Sequence, residues 1–312
     1  MELVERLLSG DKVACSRMIT LVENEKPGHV EAMVELYRHG GKAHIIGVTG
    51  PPGAGKSTLT DKLAKHMLDE GYKVGIIAID PTSPFTKGAI LGDRIRMNDL
   101  SVHPNVFIRS MGTRGSLGGL SKATSGAITV LDVFGCDYIF VETVGVGQSE
   151  VDIIKTADTT LMVMVPGLGD DIQAIKAGIM EIGEVFVINK ADRDGAKKAY
   201  REIDAMLDFK KDWGFRPPIS MTIAATGEGV DELIENLMAH KAYLEKSDAK
   251  VKKRQERMKL LVRELLHNEL NKMLDENLEN DDISENLENP YIKAGELSKN
   301  IFKVRRKEST WL

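Results

Sequence analysis

The sequence predicts an α/β protein: a mostly parallel central sheet flanked by helices, with helical extensions at the N- and C-termini. Three observations predict it. Short, continuous apolar runs alternate with helical stretches along the middle of the chain. The first run is followed at once by a glycine-rich octapeptide, G-P-P-G-A-G-K-S at residues 50–57. Before the first run and after the last, apolar residues recur at helical spacing instead. A strand that is apolar throughout is buried on both faces, and sheets of such strands are parallel and covered by helices.

The elements follow in order. Residues 2–40 carry Leu3, Leu7, Leu8, Val13, Met18, Leu21 and Val22 at three- to four-residue spacing, broken by Pro27 and Gly28, and form an N-terminal helical extension over 1–40. The apolar runs at 43–48, 73–79, 138–141, 160–165, 184–188 and 219–224 are strands, with a further short strand at 106–109. These lie in a central domain spanning 41–240. From residue 231 the pattern is helical again, and 241–312 forms a C-terminal extension. There Met258, Leu261, Val262, Leu265, Leu266, Leu270, Met273 and Leu274 make an apolar stripe, with a basic stretch at 252–259 and an acidic one at 275–288. Two readings of that stripe are open: a solvated amphipathic helix covering the sheet, or an arm packing on another subunit.

Composition narrows the class. At 312 residues, 42% hydrophobic and 29% charged, the chain matches an ordinary globular protein. A net charge of −5 argues against nucleic acid or an anionic membrane as partner. Cys15 and Cys136 are too few for a disulfide framework or metal knuckle. The first ten residues include acids where a signal peptide is cationic, and no apolar stretch reaches the ~20 residues of a spanning helix. The expectation is a soluble cytoplasmic protein.

The octapeptide is a triphosphate cradle. It matches GxxxxGK[ST] between a strand and a helix at 58–70, the context that gives the motif meaning. Glycines let backbone N–H groups converge on a phosphate, and the helix N-terminus adds partial positive charge. Expected contacts are Gly50, Pro52, Gly53, Ala54, Gly55, Lys56, Ser57 and Thr58, with Lys56 neutralising β- and γ-oxygens and Ser57 offering its hydroxyl to Mg²⁺.

A second motif, N-K-A-D at 189–192, selects the base. The Asp192 carboxylate can accept from N1–H and the exocyclic amine of guanine, whereas adenine would leave it unpaired. Bonds to a charged group are worth roughly 1.5–3 kcal/mol each, enough for GTP over ATP selectivity. Asn189 and Lys190 would brace the loop and cover the ring. A third base contact is expected from a backbone N–H near Ile223 and Ala224, although the serine common before that alanine in GTPases is absent.

Acids at strand ends supply the metal's surroundings. Asp80 closes V-G-I-I-A-I-D, Asp93 lies in K-G-A-I-L-G-D-R-I-R, and Glu142 ends Y-I-F-V-E at the Walker B position, with Gly145 placed to meet the γ-phosphate. Small signalling GTPases carry a water-orienting glutamine directly after that glycine; this chain has Val146 there and Gln148 further on. Unassisted hydrolysis should therefore be slow. Arg94, Arg96, Arg114 and Lys176 are candidate assisting cations, and 166–176 reads as a loop leading into a helix.

Taken together, G-P-P-G-A-G-K-S, A-I-D-P-T-S-P, G-D-R-I-R-M, V-E-T-V-G-V-G-Q-S-E, V-P-G-L-G-D-D-I-Q-A-I-K-A-G and N-K-A-D, in this order over residues 30–230, resemble the MeaB/ArgK family of P-loop GTPases. E-T-V-G-V-G-Q-S-E separates the chain from signal-recognition-particle and nickel-insertion GTPases. The resemblance implies a P-loop NTPase fold and a GTP-hydrolysing chaperone for an adenosylcobalamin-dependent acyl-CoA mutase, with methylmalonyl-CoA mutase the default. It implies that nucleotide state gates cofactor loading and that the mutase accelerates hydrolysis. It further implies a homodimer through C-terminal helices, Ser57 on Mg²⁺ with Asp80, Asp93 and Glu142 around it, and Lys176 ending a third switch loop tied to mutase-stimulated hydrolysis. The catalytic set is then Lys56, Glu142, Gly145 and Lys176. Ile223 and the acidic tail depart from the family pattern. The alternatives are a small-molecule kinase, a metal-insertion GTPase, or a scaffold that retains GTP without turning it over.

Overall fold

Every apolar run becomes a strand of one sheet. The computed structural model describes residues 2–80, 98–112, 122–143, 156–167 and 182–279, with a few between 289 and 298. Its strands are β1 (His44–Thr49), β2 (Val74–Asp80), β3 (Val106–Gly112), β4 (Tyr138–Glu142), β5 (Thr159–Met164), β6 (Val185–Asn189) and β7 (Ile219–Thr222). They lie in the order β3-β2-β4-β1-β5-β6-β7, and every neighbouring pair is parallel. The short run at 106–109 is a full edge strand. After β1 the chain moves to one side of it, then crosses to the other at β5, so β1 is the switch point where ligands bind in such sheets.

The helices are α1 (Glu2–Leu8), α2 (Lys12–Glu23), α3 (His29–Leu36), α4 (Lys56–Asp69), α5 (Asn98–Ser101), α6 (Lys122–Val133), α7 (Ala196–Leu207), α8 (Val230–Lys246) and α9 (Ala249–Glu279). Side chains alternate across a strand, and both faces here are covered. On β1, Ile45 joins the cluster shared with α1, α2, α3 and α6, while Ile46 and Val48 join the cluster beneath α4 and α8. Helix α7 closes the former face farther along, over Met162, Met164, Phe186 and Ile188. That double covering is why the strands read as unbroken apolar runs.

Leu7, Met18, Ile19 and Leu36 of α1–α3 are buried in one cluster with Ile45, Ile77 and Ile139 of the sheet. Asp11 starts α2 by accepting the Val13 and Ala14 N–H groups at 2.7 and 3.1 Å. One compact unit runs Met1–Arg257 and a second Met258–Leu312, the division falling within α9. Among the described residues no helix is long and apolar enough to cross a membrane.

At the strands' N-terminal edge, buried polar groups meet. His44 Nε2 lies 2.9 Å from Thr159 Oγ1, which lies 2.8 Å from His240 Nδ1. Burial is the main cause holding His44 down to about 4 and His240 to about 3, so both are neutral in the fold. In the unfolded chain a histidine protonates near pH 6.5. The unfolded state therefore binds the extra protons, and the stabilisation present above pH 6.5 is lost as pH falls toward 4. For His44 this amounts to about 3 kcal/mol. Urea unfolding measured from pH 7 to 4.5 should show that decline, and His44→Gln should flatten it.

Candidate functional site

The phosphate loop sits where β1 gives way to α4. Gly50 has φ 140°, and a Cβ there would lie 2.0 Å from the Val163 carbonyl oxygen of β5, so only glycine allows the loop to lie against that strand. Gly55 has φ 90° and caps α4, and a Cβ there would meet Asn189 Nδ2 at 2.4 Å. The helix begins at Lys56, which directs the first N–H groups of α4, those of Lys56, Ser57 and Thr58, into the loop. Lys56 is buried and its Nζ donates to Gly50 O at 2.7 Å and Pro51 O at 3.0 Å, bridging the loop's mouth.

Strand register brings the predicted acids to the same edge. Glu142 of β4 lies opposite Val48 of β1 on one side and Ala78 of β2 on the other, and Asp80 ends β2 opposite Gly112. Ser57 Oγ donates to Glu142 Oε1 at 2.5 Å. A hydroxyl and a carboxylate meeting at a helix N-terminus are hard oxygen donors, a set that fits Mg²⁺. Among the described residues no group of three or more His, Cys, Asp or Glu gathers as a metal site. Asp93, Gly145 and Lys176, with Gln148, Arg94, Arg96 and Arg114, lie outside the described residues.

The N-K-A-D loop at 189–192 is tied directly to the phosphate loop. Asn189 ends β6, is buried, and donates from Nδ2 to Ala54 O at 2.8 Å. Its Oδ1 accepts from Thr222 Oγ1 at 3.3 Å and from the Ala224 N–H at 3.0 Å. Lys190, in left-handed backbone with φ 57°, reaches back to donate to Gly53 O at 2.6 Å. The next N–H, that of Ala191, still donates to Thr222 O of β7 at 3.0 Å, and Asp192 beyond it is exposed.

Two features go beyond the sequence reading. Thr222, the last residue of β7, orients the Asn189 amide, and nothing in its own neighbourhood marks it out. The Ala224 N–H, the expected third base contact, donates to Asn189 and so serves the loop's internal bracing in this structure.

The chain resembles known proteins along most of its length. Residues 15–279 match the family profile described as methylmalonyl Co-A mutase-associated GTPase MeaB. A putative GTPase of Pyrococcus horikoshii is 57% identical over 269 residues, covering 85% of each protein. GTPase ArgK of Escherichia coli is 37% identical over 253 residues, covering 78% of this chain and 76% of that one. Among solved structures, a LAO/AO transport system kinase superposes with a TM-score of 0.72 at 26% identity, covering 96% of both chains.

The bracing sets two expectations for nucleotide binding. Thr222→Val removes one of two donors to Asn189 and should weaken GDP binding by about 1 kcal/mol, roughly five-fold, with base preference intact. If Asp192 reads the base, Asp192→Ala should instead abolish the preference for GDP over ADP, because each hydrogen bond the carboxylate accepts from the base is worth about 1.5–3 kcal/mol. Titration calorimetry with both nucleotides distinguishes a bracing residue from a base reader.

Proposed function

The chain belongs to the MeaB family of methylmalonyl-CoA mutase-associated GTPases, and from that premise we propose that it is a slow GTP-hydrolysing chaperone of an adenosylcobalamin-dependent acyl-CoA mutase, methylmalonyl-CoA mutase first among the candidates. On this reading its nucleotide state gates cofactor loading and protects the mutase. The supporting observation is the joint between the two loops. Asn189 and Lys190 hold the carbonyls of Ala54 and Gly53, so a base seated at Asp192 and phosphates seated at Lys56 belong to one rigid receptor. A small-molecule kinase has no evident need for a guanine reader braced in this way.

Within that receptor, Lys56 and the α4 N-terminus offset phosphate charge. Ser57 and Glu142 would hold Mg²⁺, with Asp80 and Asp93 in its surroundings, and the ion would offset charge developing on the β- and γ-oxygens. Gly145 would meet the γ-phosphate through its N–H. Val146, standing where small GTPases carry glutamine, leaves the attacking water without that orienting group, which supports slow unassisted turnover. The partner must contact the switch loops differently in the two nucleotide states, or nucleotide could not alter its behaviour. By reciprocity, a partner that favours the GTP-bound arrangement tightens GTP binding by the same factor.

Homodimerisation through α9 belongs to the same proposal. In the second unit Met258, Val262, Leu265, Leu266 and Leu274 are exposed on that helix, an apolar surface suited to a second copy.

Phosphate release from GTP, with and without a cobalamin-dependent methylmalonyl-CoA mutase, tests the function. Slow release that rises with mutase is the expected result, and Lys176→Ala should remove the rise. Phosphoryl transfer to a small acceptor, or turnover indifferent to any acyl-CoA mutase, would overturn the chaperone reading. For the assembly, Leu265→Glu with Leu266→Glu should turn a dimer into a monomer in sedimentation while the basal rate per chain stays unchanged.

A further inference from the structure

Helix α9 begins without an apolar seat. Residues 249–257 read A-K-V-K-K-R-Q-E-R, and the one large apolar side chain among them, Val251, is 57% exposed. What holds this first part of the helix is charge. Lys253, Arg254 and Arg257 share one helix face by their spacing, and all three reach the N-terminal edge of the sheet.

Their targets are two acids on neighbouring strands. Asp158, just before β5, has a side chain only 1% exposed and accepts from Arg257 Nη2 at 2.8 Å, with Arg254 Nη2 at 3.5 Å. The same carboxylate accepts the Ile45 N–H of β1 at 3.0 Å. Lys253 donates to the Asp158 carbonyl at 2.8 Å and pairs with Glu184. Glu184, just before β6, also accepts the Thr160 N–H of β5 at 3.0 Å. Arg254 adds bonds to Gly41 O and to Ala43 O, the latter at 3.1 Å. Burial works against the Asp158 charge, but Arg257 and Arg254 outweigh it and hold the carboxyl below its ordinary range.

We propose that Asp158 and Glu184 form a charge socket that fixes the rotation and axial register of the first turns of α9, residues 249–257, so that directional ion pairs, not apolar packing, set the seating of this segment. Buried ion pairs contribute little net stability relative to well-packed apolar groups, because desolvation opposes their attraction. They do penalise every arrangement that leaves a charge unpaired. A helix sliding by one residue or turning on its axis would strand Asp158 without a cation. Apolar contacts tolerate such shifts, whereas a guanidinium on a carboxylate and a lysine on a carbonyl do not. Three cations bound to groups just before β1, β5 and β6, neighbours in the sheet, define one orientation. The socket lies at the sheet edge opposite the phosphate loop and touches none of the residues assigned to nucleotide, so it governs the helix without entering the chemistry.

Spin labels at Lys197→Cys on α7 and Gln255→Cys in the first turns of α9, both exposed, in full-length protein diluted with unlabelled chains, test this by pulsed dipolar spectroscopy. Cys15 and Cys136 are buried and remain unlabelled. The informative variant is the neutral triple, Asp158→Asn with Arg254→Gln and Arg257→Gln, because removing both signs together avoids the unpaired buried charge that would unfold a single variant. The unaltered socket should give one narrow distance peak. The triple variant should bind GDP as tightly but lose that peak to a broad or split distribution. Arg254→Lys with Arg257→Lys, which keeps charge but loses the planar fork, should fall between them. A narrow, unshifted peak in a triple variant that still binds GDP would overturn the proposal. Should the triple variant lose GDP binding, the lysine pair decides by the same criterion. The measurement reads one chain at a time, so a monomeric protein would sink the dimer reading and leave the socket standing or falling on its own.

Discussion

The Asn189 side chain is the joint on which the nucleotide site depends. It is a small amide with one donor group and one acceptor group facing three partners, on Ala54, Thr222 and Ala224. Those partners belong to the phosphate loop after β1 and to the end of β7, so one residue at the end of β6 gathers three separate chain segments. A buried amide without partners is costly, and each partner is therefore fixed as firmly as the amide itself. The glycines follow from this closeness. Gly55 cannot carry a Cβ because Asn189 Nδ2 occupies the place, and Gly50 cannot because the Val163 carbonyl does. The phosphate loop is thus glycine-rich for two reasons, to present N–H groups to an anion and to let neighbouring strands approach it.

The nucleotide motifs were legible in the sequence because each is a local string whose neighbours in sequence are also its neighbours in space. The strand-loop-helix at 43–70 and the strand-turn at 184–192 carry their own context. The seven strands were legible too, since a sheet covered on both faces leaves unbroken apolar runs. Thr222 was not, because its role lies in a bond to Asn189, 33 residues away, and a threonine ending a strand has no distinguishing pattern. The partners of the basic stretch at 252–259 were not legible either. Arg257 meets Asp158, 99 residues earlier in the chain. Charge pairs across such separations leave no periodic trace in either segment.

The two edges of the sheet have been put to opposite uses. At the carboxyl ends, backbone N–H groups, Lys56 and the α4 N-terminus gather positive potential around a loop open to an anion. At the amino ends, Asp158, His44 and His240 are buried beside Glu184, and their hydrogen bonds run to Thr159, to the backbone of neighbouring strands and to the start of α9. Strand direction explains the division. In a parallel sheet all loops that can vary around a ligand emerge from one edge, which leaves the other free for fixed structural contacts.

That division bears on how a partner could act on the nucleotide. A protein docking at the carboxyl edge meets the phosphate loop and the strand ends at Asp80 and Glu142 directly, and can alter hydrolysis through contacts there. A protein held at the first turns of α9, residues 249–257, meets a segment rooted at the amino edge, a strand length away from the phosphate loop. Its influence would have to pass along β1 and β5, whose backbones are locked together from Asp158 and Ile45 at one end to Gly50 and Val163 at the other. Packed parallel strands resist sliding, because a shift of one residue would turn every buried side chain to the wrong face. The sheet is therefore a poor transmitter of small displacements and a good rigid frame.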